Sequence, residues 1–160
     1  MCLRYSLAPI LLVAAVQPAV AKETVEDPVL APVMRFQKAF NAAQEAMPTD
    51  VFLPNTVVAD GFAPFLWNSK EGLGAWYGIL RGTNDAERKT FVSNKYNLTI
   101  KAAVARRIDG DTAYLVFPAI NRWTEAGKPR FERAYWLITE QRTSDGWRIS
   151  SHSWAIVSAK

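Results

Sequence analysis

Residues 130–157 read RFERAYWLITEQRTSDGWRISSHSWAIV, two segments dense in Tyr, Trp, Ile and Thr on either side of Ser-Asp-Gly at 144–146. β-Branched and aromatic side chains fit a pleated, half-buried surface, and Ser-Asp-Gly supplies a tight reversal. The stretch therefore predicts an antiparallel hairpin with strands over 130–142 and 147–157. Working backward, 96–108 and 112–124 have the same character and are joined through Asp-Gly-Asp at 109–111 and Glu-Ala-Gly-Lys at 125–128. Four long strands linked by short turns make a meander. In the third, Phe131, Tyr135 and Leu137 share one face, while Ala134, Trp136 and Ile138 share the other. Both faces carry large apolar groups, where a sheet with one wet face would alternate more cleanly. Helices are expected over one face and a second copy of the chain over the other, as a two-fold homodimer.

Upstream the periodicity changes. Val33, Phe36, Phe40, Ala43 and Met47 recur every three or four residues, which predicts an amphipathic helix over 28–47, closed by Pro48. VFLPNTVVAD at 51–60 is rich in β-branched residues but broken by Pro54, as in a short or edge strand ending at Asp60. A second helix follows over 70–80, with Leu73, Trp76, Tyr77 and Leu80 as its apolar stripe. Asn68 with Glu71 resembles a capping box, and Gly82 suits the stop. TNDAERKTF at 83–91 suggests a short third helix. Helices first and hairpin-linked strands afterwards define an α+β fold, with the helices packed on one face of an antiparallel sheet of four long strands plus a short edge strand.

The opening residues, MCLRYSLAPILLVAAVQPAVAKETV, combine Arg4, an apolar run over 7–16 and small residues at Ala19 and Ala21. That is the layout of a secretory signal peptide over 1–21, cleaved after Ala21, and its apolar run is too short for an ordinary membrane-spanning helix. Export to a periplasm or the cell exterior is expected, with no membrane attachment after cleavage. Cys2 is the sole cysteine, so the mature chain has neither a disulfide nor a thiolate metal site and relies on its core. With no repeat, low-complexity segment or long linker, residues 22–160 are expected to form one domain.

The chain carries 19 Lys and Arg against 15 Asp and Glu, a net charge of +4; without Arg4 the balance is 18 against 15, or +3. The surplus is spread along the chain, not gathered into the basic, aromatic-interleaved stripe of a nucleic-acid binder. A single His without cysteines or clustered carboxylates argues against zinc, and Asp109-Gly110-Asp111 lacks the ligand count of a calcium loop and reads as a turn. Neither GxSxG nor a Walker-type glycine loop occurs. No metal or cofactor is expected.

The amphipathic first helix, VVADGFAPFLW at 57–67 followed by GLGAWYGIL at 72–80, and the closing DGWRISSHSWAIV at 145–157 resemble the nuclear transport factor 2-like superfamily, which includes ketosteroid isomerases and SnoaL-like polyketide cyclases. The resemblance covers nearly the whole chain after residue 21. It implies a curved sheet wrapped round helices to form a conical pocket, in a superfamily that holds both enzymes and binding modules. In the isomerases a catalytic aspartate follows the first helix on the short strand segment, the place Asp60 occupies here. By that resemblance Asp60 is the candidate general base, and a carboxylate in an apolar pocket is a better base as its pKa rises. The isomerases also place a tyrosine on the first helix as oxyanion donor. Phe36 and Phe40 stand on the inward stripe here, and neither can donate.

A donor from the strands is the alternative: Tyr114, Tyr135, His152 or Trp154 each carry a polar group on an apolar body. Which of them faces the pocket depends on strand parity near SSHSW, where a one-residue bulge would reverse the sides. Asp60, His152 and Tyr135 are thus the catalytic candidates. Phe36, Phe40, Phe62, Phe65, Trp67, Trp76, Tyr114 and Trp154 are the candidate ligand-binding residues. Plainer roles compete: Asp60 as a turn-former before Gly61, His152 as a satisfied sheet residue, and the six tryptophans as core or dimer interface. Arg122, Glu132 and Arg133 read as a solvated sheet face with cross-strand ion pairs. The leading expectation is an exported domain binding a small apolar molecule in an aromatic-lined pocket. The alternatives are an isomerase- or cyclase-like enzyme using Asp60, and a non-catalytic dimerisation or interaction domain.

Overall fold

In the computed structural model, which describes residues 27–160, the chain begins with helix α1 (Ala31–Asn41). Pro32 lies in the first turn, where its missing N–H is no loss, and the helix buries Val33, Phe36, Ala39 and Phe40. It ends well before Met47. Ala43 takes a left-handed φ of 52°, and two side chains from the next helix seize the carbonyls beyond it: the Tyr77 hydroxyl donates to the Gln44 carbonyl at 2.8 Å, and Arg81 Nη2 donates to the Ala43 carbonyl. Tertiary hydrogen bonds thus turn the chain where periodicity alone would continue the helix. The predicted leader over 1–21 lies outside the described residues.

Strand β1 (Phe52–Ala59) follows, then a two-residue strand β2 (Leu66–Trp67) that pairs antiparallel with the end of β1. Helix α2 (Gly72–Arg81) buries Leu73, Trp76, Tyr77 and Arg81, and helix α3 (Asp85–Ser93) packs behind it. The expected capping box at α2 does not form; Glu71 holds the cap position and no side chain bonds there. Capping occurs one helix later, where Asn84 Oδ1 accepts the Glu87 N–H at 3.1 Å and Glu87 Oε2 accepts the Thr83 N–H at 2.6 Å. Between the helices Gly82 has φ 101°, and a Cβ there would stand 2.6 Å from that of Glu87. Only glycine lets α3 fold this closely against the end of α2.

The remaining strands are β3 (Asn97–Ile100), β4 (Ala105–Asp109), β5 (Thr112–Glu125), β6 (Lys128–Thr143) and β7 (Gly146–Ala159). The predicted strand over 96–108 is therefore two strands, both paired with β5. The break has a cause: Pro118 has no N–H to offer the neighbouring strand, although its carbonyl still accepts from Lys101. The sheet order is β2-β1-β7-β6-β5-β3, with β4 also on β5. β1 runs parallel to β7, so the curved, unclosed sheet is mixed, and the strand expected at the edge is covered by β2 only at its last two residues, Val58 and Ala59. α1 and α2 fill the concave face, where Phe36 meets Phe52, Trp76 and Trp136 with ring centroids 5.6, 6.1 and 5.3 Å away.

Two register shifts on β7 position the site. The pairing with β6 skips Ser150 between Thr139↔Ser151 and Glu140↔Ile149, and skips Val157 between Ala134↔Ile156 and Arg133↔Ser158. Trp147 and Ile149 are buried on one parity; after the first shift His152 and Trp154 turn inward on the other. The bulge anticipated near SSHSW is present, and it brings His152 into the concave face.

Candidate functional site

Between α1, α2 and the concave sheet lies a cavity of about 320 Å³. Its apolar wall is built from Phe36 and Phe40 of α1, Trp76 of α2, Phe62 of the turn after β1, and Trp136 and Trp154 of the sheet. Tyr96 and Trp123 add a stacked pair, with centroids 5.4 Å apart and planes at 16°.

Asp60 ends β1 at the cavity wall. The turn after it closes through the Asp60 N–H on the Phe65 carbonyl (3.1 Å) and the Phe65 N–H on the Phe62 carbonyl (2.8 Å). Asp60 Oδ1 accepts the Gly61 N–H at 2.6 Å, while Oδ2 accepts the Trp76 indole N–H at 2.8 Å. One oxygen locks the turn, and the other meets an indole of the cavity wall. Burial raises the carboxyl pKa, and the Trp76 and Gly61 hydrogen bonds oppose that rise.

Glu132 joins it from β6. Half-buried, it accepts the Trp154 indole N–H, and its pKa rises through burial with a smaller contribution from the charge of Asp60. The solvated-face reading therefore fails for Glu132, while Arg122 and Arg133 are exposed as expected. The clue was in the strand: Glu132 has the parity of Ala134, Trp136 and Ile138, all buried. Asn121 and Trp123 enter the cavity by the same rule, being in step with the buried Leu115, Phe117 and Ala119 of β5.

His152 is 4% exposed and lines the cavity beside Trp76, whose ring centroid is 4.7 Å away. Its Nδ1 accepts the Trp136 indole N–H at 3.3 Å, which leaves the proton on Nε2, and Nε2 has no partner among the described residues. Burial pushes its pKa down to about 3. The ring is neutral at ordinary pH and is suited to donate a hydrogen bond, not to shuttle a proton.

Four candidates stand elsewhere. Tyr114 and Tyr135 are 42% and 44% exposed on the outer parity of β5 and β6, because their neighbours Ala113, Leu115, Ala134 and Trp136 take the inner one. Neither tyrosine can serve the cavity. Phe65, at φ 70° and 60% exposed, projects from the turn and does not line the cavity. Trp67 is buried behind the wall, packed on Phe62 at 5.1 Å, and does not line the cavity either. Phe36, Phe40, Phe62, Trp76 and Trp154 line the cavity, together with Asp60 and His152. No group of three or more His, Cys, Asp or Glu among the described residues could hold a metal ion, and no helix among them is long and apolar enough to cross a membrane.

Helices inside an unclosed, curved sheet, with a cavity between the layers, define a small class of pocket-bearing α+β domains. No family model matches the sequence, and no curated protein matches it. Solved structures do. An NTF2-like protein with a cystatin-like fold from Novosphingobium aromaticivorans is 16% identical, with 81% of this chain and 80% of that one covered at a TM-score of 0.61. A candidate ketosteroid isomerase from Shewanella frigidimarina is 17% identical over 82% and 98%, at 0.62. The CaMKII hub of S. rosetta is 16% identical over 81% and 95%, at 0.63. At such identities the likeness defines the fold: this chain has the nuclear transport factor 2-like fold.

Proposed function

We propose that this protein is an exported domain that binds a small, largely apolar molecule in the aromatic cavity, with Asp60 and Glu132 orienting the polar end of the ligand. The observation that carries the reading is a cavity of about 320 Å³, within the range of small-molecule sites, walled by aromatic rings and furnished with two indole-bonded carboxyl groups. A titration of tryptophan fluorescence with small carbocyclic compounds tests it. Trp76→Ala and Trp123→Ala should each weaken binding about tenfold or more, whereas the outer-face change Tyr135→Ala should leave it intact. Equal effects at all three positions would sink the reading.

A second reading is favoured by one feature, the raised pKa of Asp60 beside a neutral His152 N–H. Asp60 is then the base that moves a proton next to a carbonyl, and His152 Nε2–H, or Glu132 while protonated, donates to the oxyanion. Asp60→Asn should abolish solvent-deuterium exchange into a bound ketone while leaving its affinity within a few-fold. Unchanged exchange in that variant removes the enzyme reading.

Export rests on the leader-like residues 1–21, and mass spectrometry of the protein from an extracytoplasmic fraction should find a chain beginning at Lys22. Self-association is supported by the apolar outer face bearing Tyr114 and Tyr135 and by the hub domain among the structural neighbours.

A further inference from the structure

The cavity lining contains two carboxyl groups and no lysine or arginine among the described residues, in a chain whose overall balance is +4. The charged groups of the lining are thus all acidic, against the sign of the whole chain. A ligand apolar throughout would bury both carboxyls without compensation, which is unfavourable for the ionised form. An anion would meet two like charges. The remaining lining gives the same direction: Trp76, Trp123, Trp154 and Tyr96 present aromatic rings, whose faces attract cations. The hydrogen-bond inventory agrees. Each carboxyl receives an indole N–H but retains further lone pairs, and Asn121 Oδ1, also at the lining, has no donor among the described residues. His152, more than nine-tenths buried in the same wall, leaves Nε2 unpartnered. Buried polar groups without partners are uncommon in folded proteins, and here two of them border one cavity.

We infer that the ligand is a small organic cation, a protonated amine on a flat apolar body, held with its ammonium among Asp60, Glu132 and Asn121 and its body among the indoles. This rests on the cavity being the binding site proposed above. The N–H donors of the ammonium meet the acceptors that the protein leaves open, and its single positive charge, attracted by both carboxylates, offsets one of their two charges. The His152 N–H further favours a body that carries an ether or hydroxyl oxygen.

Isothermal titration of the purified protein at pH 7 with three probes of one shape separates the possibilities: 1-naphthylmethylamine (cation), 1-naphthalenemethanol (neutral) and 1-naphthoate (anion). The amine should bind at least tenfold more tightly than the alcohol, with the naphthoate weakest. In the Asp60→Asn/Glu132→Gln double variant the amine should lose its advantage over the alcohol, whatever the affinity of the alcohol itself, and a circular-dichroism spectrum and urea midpoint matching those of the unaltered protein show that the variant is folded. An alcohol that binds the unaltered protein as tightly as the amine overturns the cation inference and leaves the cavity reading standing. An amine preference that survives the double variant overturns it too. If none of the three probes binds, the cavity reading itself fails.

Discussion

Glu140 should make this protein less stable as the pH rises, and Glu140→Gln should remove most of that loss. The side chain lies on the inward face of β6 beyond Trp136 and Ile138, fully buried, with neither oxygen partnered among the described residues. Burial pushes its pKa up from 4.5 to about 8, against a partial pull from Arg35 and with a small push from Asp27. Arg35 is paired with Asp50 at 3.2 Å and Asp27 with Arg106 at 2.6 Å, so neither forms an ion pair with Glu140. Below about pH 4.5 the group is protonated in both states and no loss arises. Between 4.5 and about 8 the unfolded chain has released a proton that the folded one retains, so stability falls with pH. At 1.36 kcal/mol per pH unit, an upper bound of ~5 kcal/mol accrues across that window. His152 acts in the opposite sense: with its pKa pushed from 6.5 down to about 3, it adds stability as the pH rises through that interval and nothing above it. The two nearly cancel from 4.5 to 6.5, while between 6.5 and 8 His152 no longer offsets Glu140; Asp60 and Glu132, both raised by burial, act in the same sense as Glu140. Glutamine keeps the shape and the neutral charge of the protonated acid. Urea denaturation followed by circular dichroism should show the variant equal to the unaltered protein near pH 4.5 and ~2–4 kcal/mol more stable at pH 8. Parallel stability curves for the two proteins from pH 4.5 to 8 would refute the argument, because they would mean that Glu140 is ionised in the fold.

Three further outcomes follow from local geometry. Asn84→Ala removes the side-chain acceptor of the Glu87 N–H and should lower stability by ~1 kcal/mol in the same urea experiment; no change would mean that water replaces the cap. Gly82→Ala should be worse, at ~2 kcal/mol or more, since it combines a φ of 101° with a Cβ 2.6 Å from that of Glu87, and an unchanged melting temperature would show that α3 can shift at no cost. Tyr135→Glu on the outer face should convert a dimer into a monomer by sedimentation equilibrium, and a monomeric unaltered protein at ~100 µM would dismiss self-association through this face.

The fold was legible because its strands announce themselves twice, in composition and in turns. Gly110, Gly127 and Gly146 all adopt positive φ at hairpins that the Asp-Gly-Asp, Glu-Ala-Gly-Lys and Ser-Asp-Gly turns foretold. What escaped the sequence was decided by partners far along the chain. Nothing local stops α1 at Asn41; Tyr77 and Arg81, more than thirty residues on, do so by taking the carbonyls of Gln44 and Ala43. The parallel pairing of β1 with β7 is likewise a long-range choice. Pro118 could have been read: a proline within a long strand forbids one neighbour's hydrogen bond, and the split between β3 and β4 lies opposite it.

The site was half legible for a related reason. Parity is reliable along an uninterrupted strand, and applied to β6 it places Glu132 with Trp136 on the inner face and Tyr135 on the outer one. Ranking residues by chemical type instead favoured Tyr135 and Tyr114 because a phenol can donate, and overlooked Glu132 because a glutamate between aromatic and basic neighbours resembles a surface residue. On β7 parity holds only up to Ser150. Carried straight through from Trp147 and Ile149, it would send His152 and Trp154 to solvent; the register shift reverses them and gives Glu132 its indole donor. The two faces of β6 therefore have separate duties. The outer carries the tyrosines available to another molecule. The inner carries a carboxyl at the cavity, an indole on its wall and a second carboxyl, Glu140, sealed beyond it. Two acids on one apolar face meet different fates because one borders a space that a ligand can enter and the other borders only packed side chains.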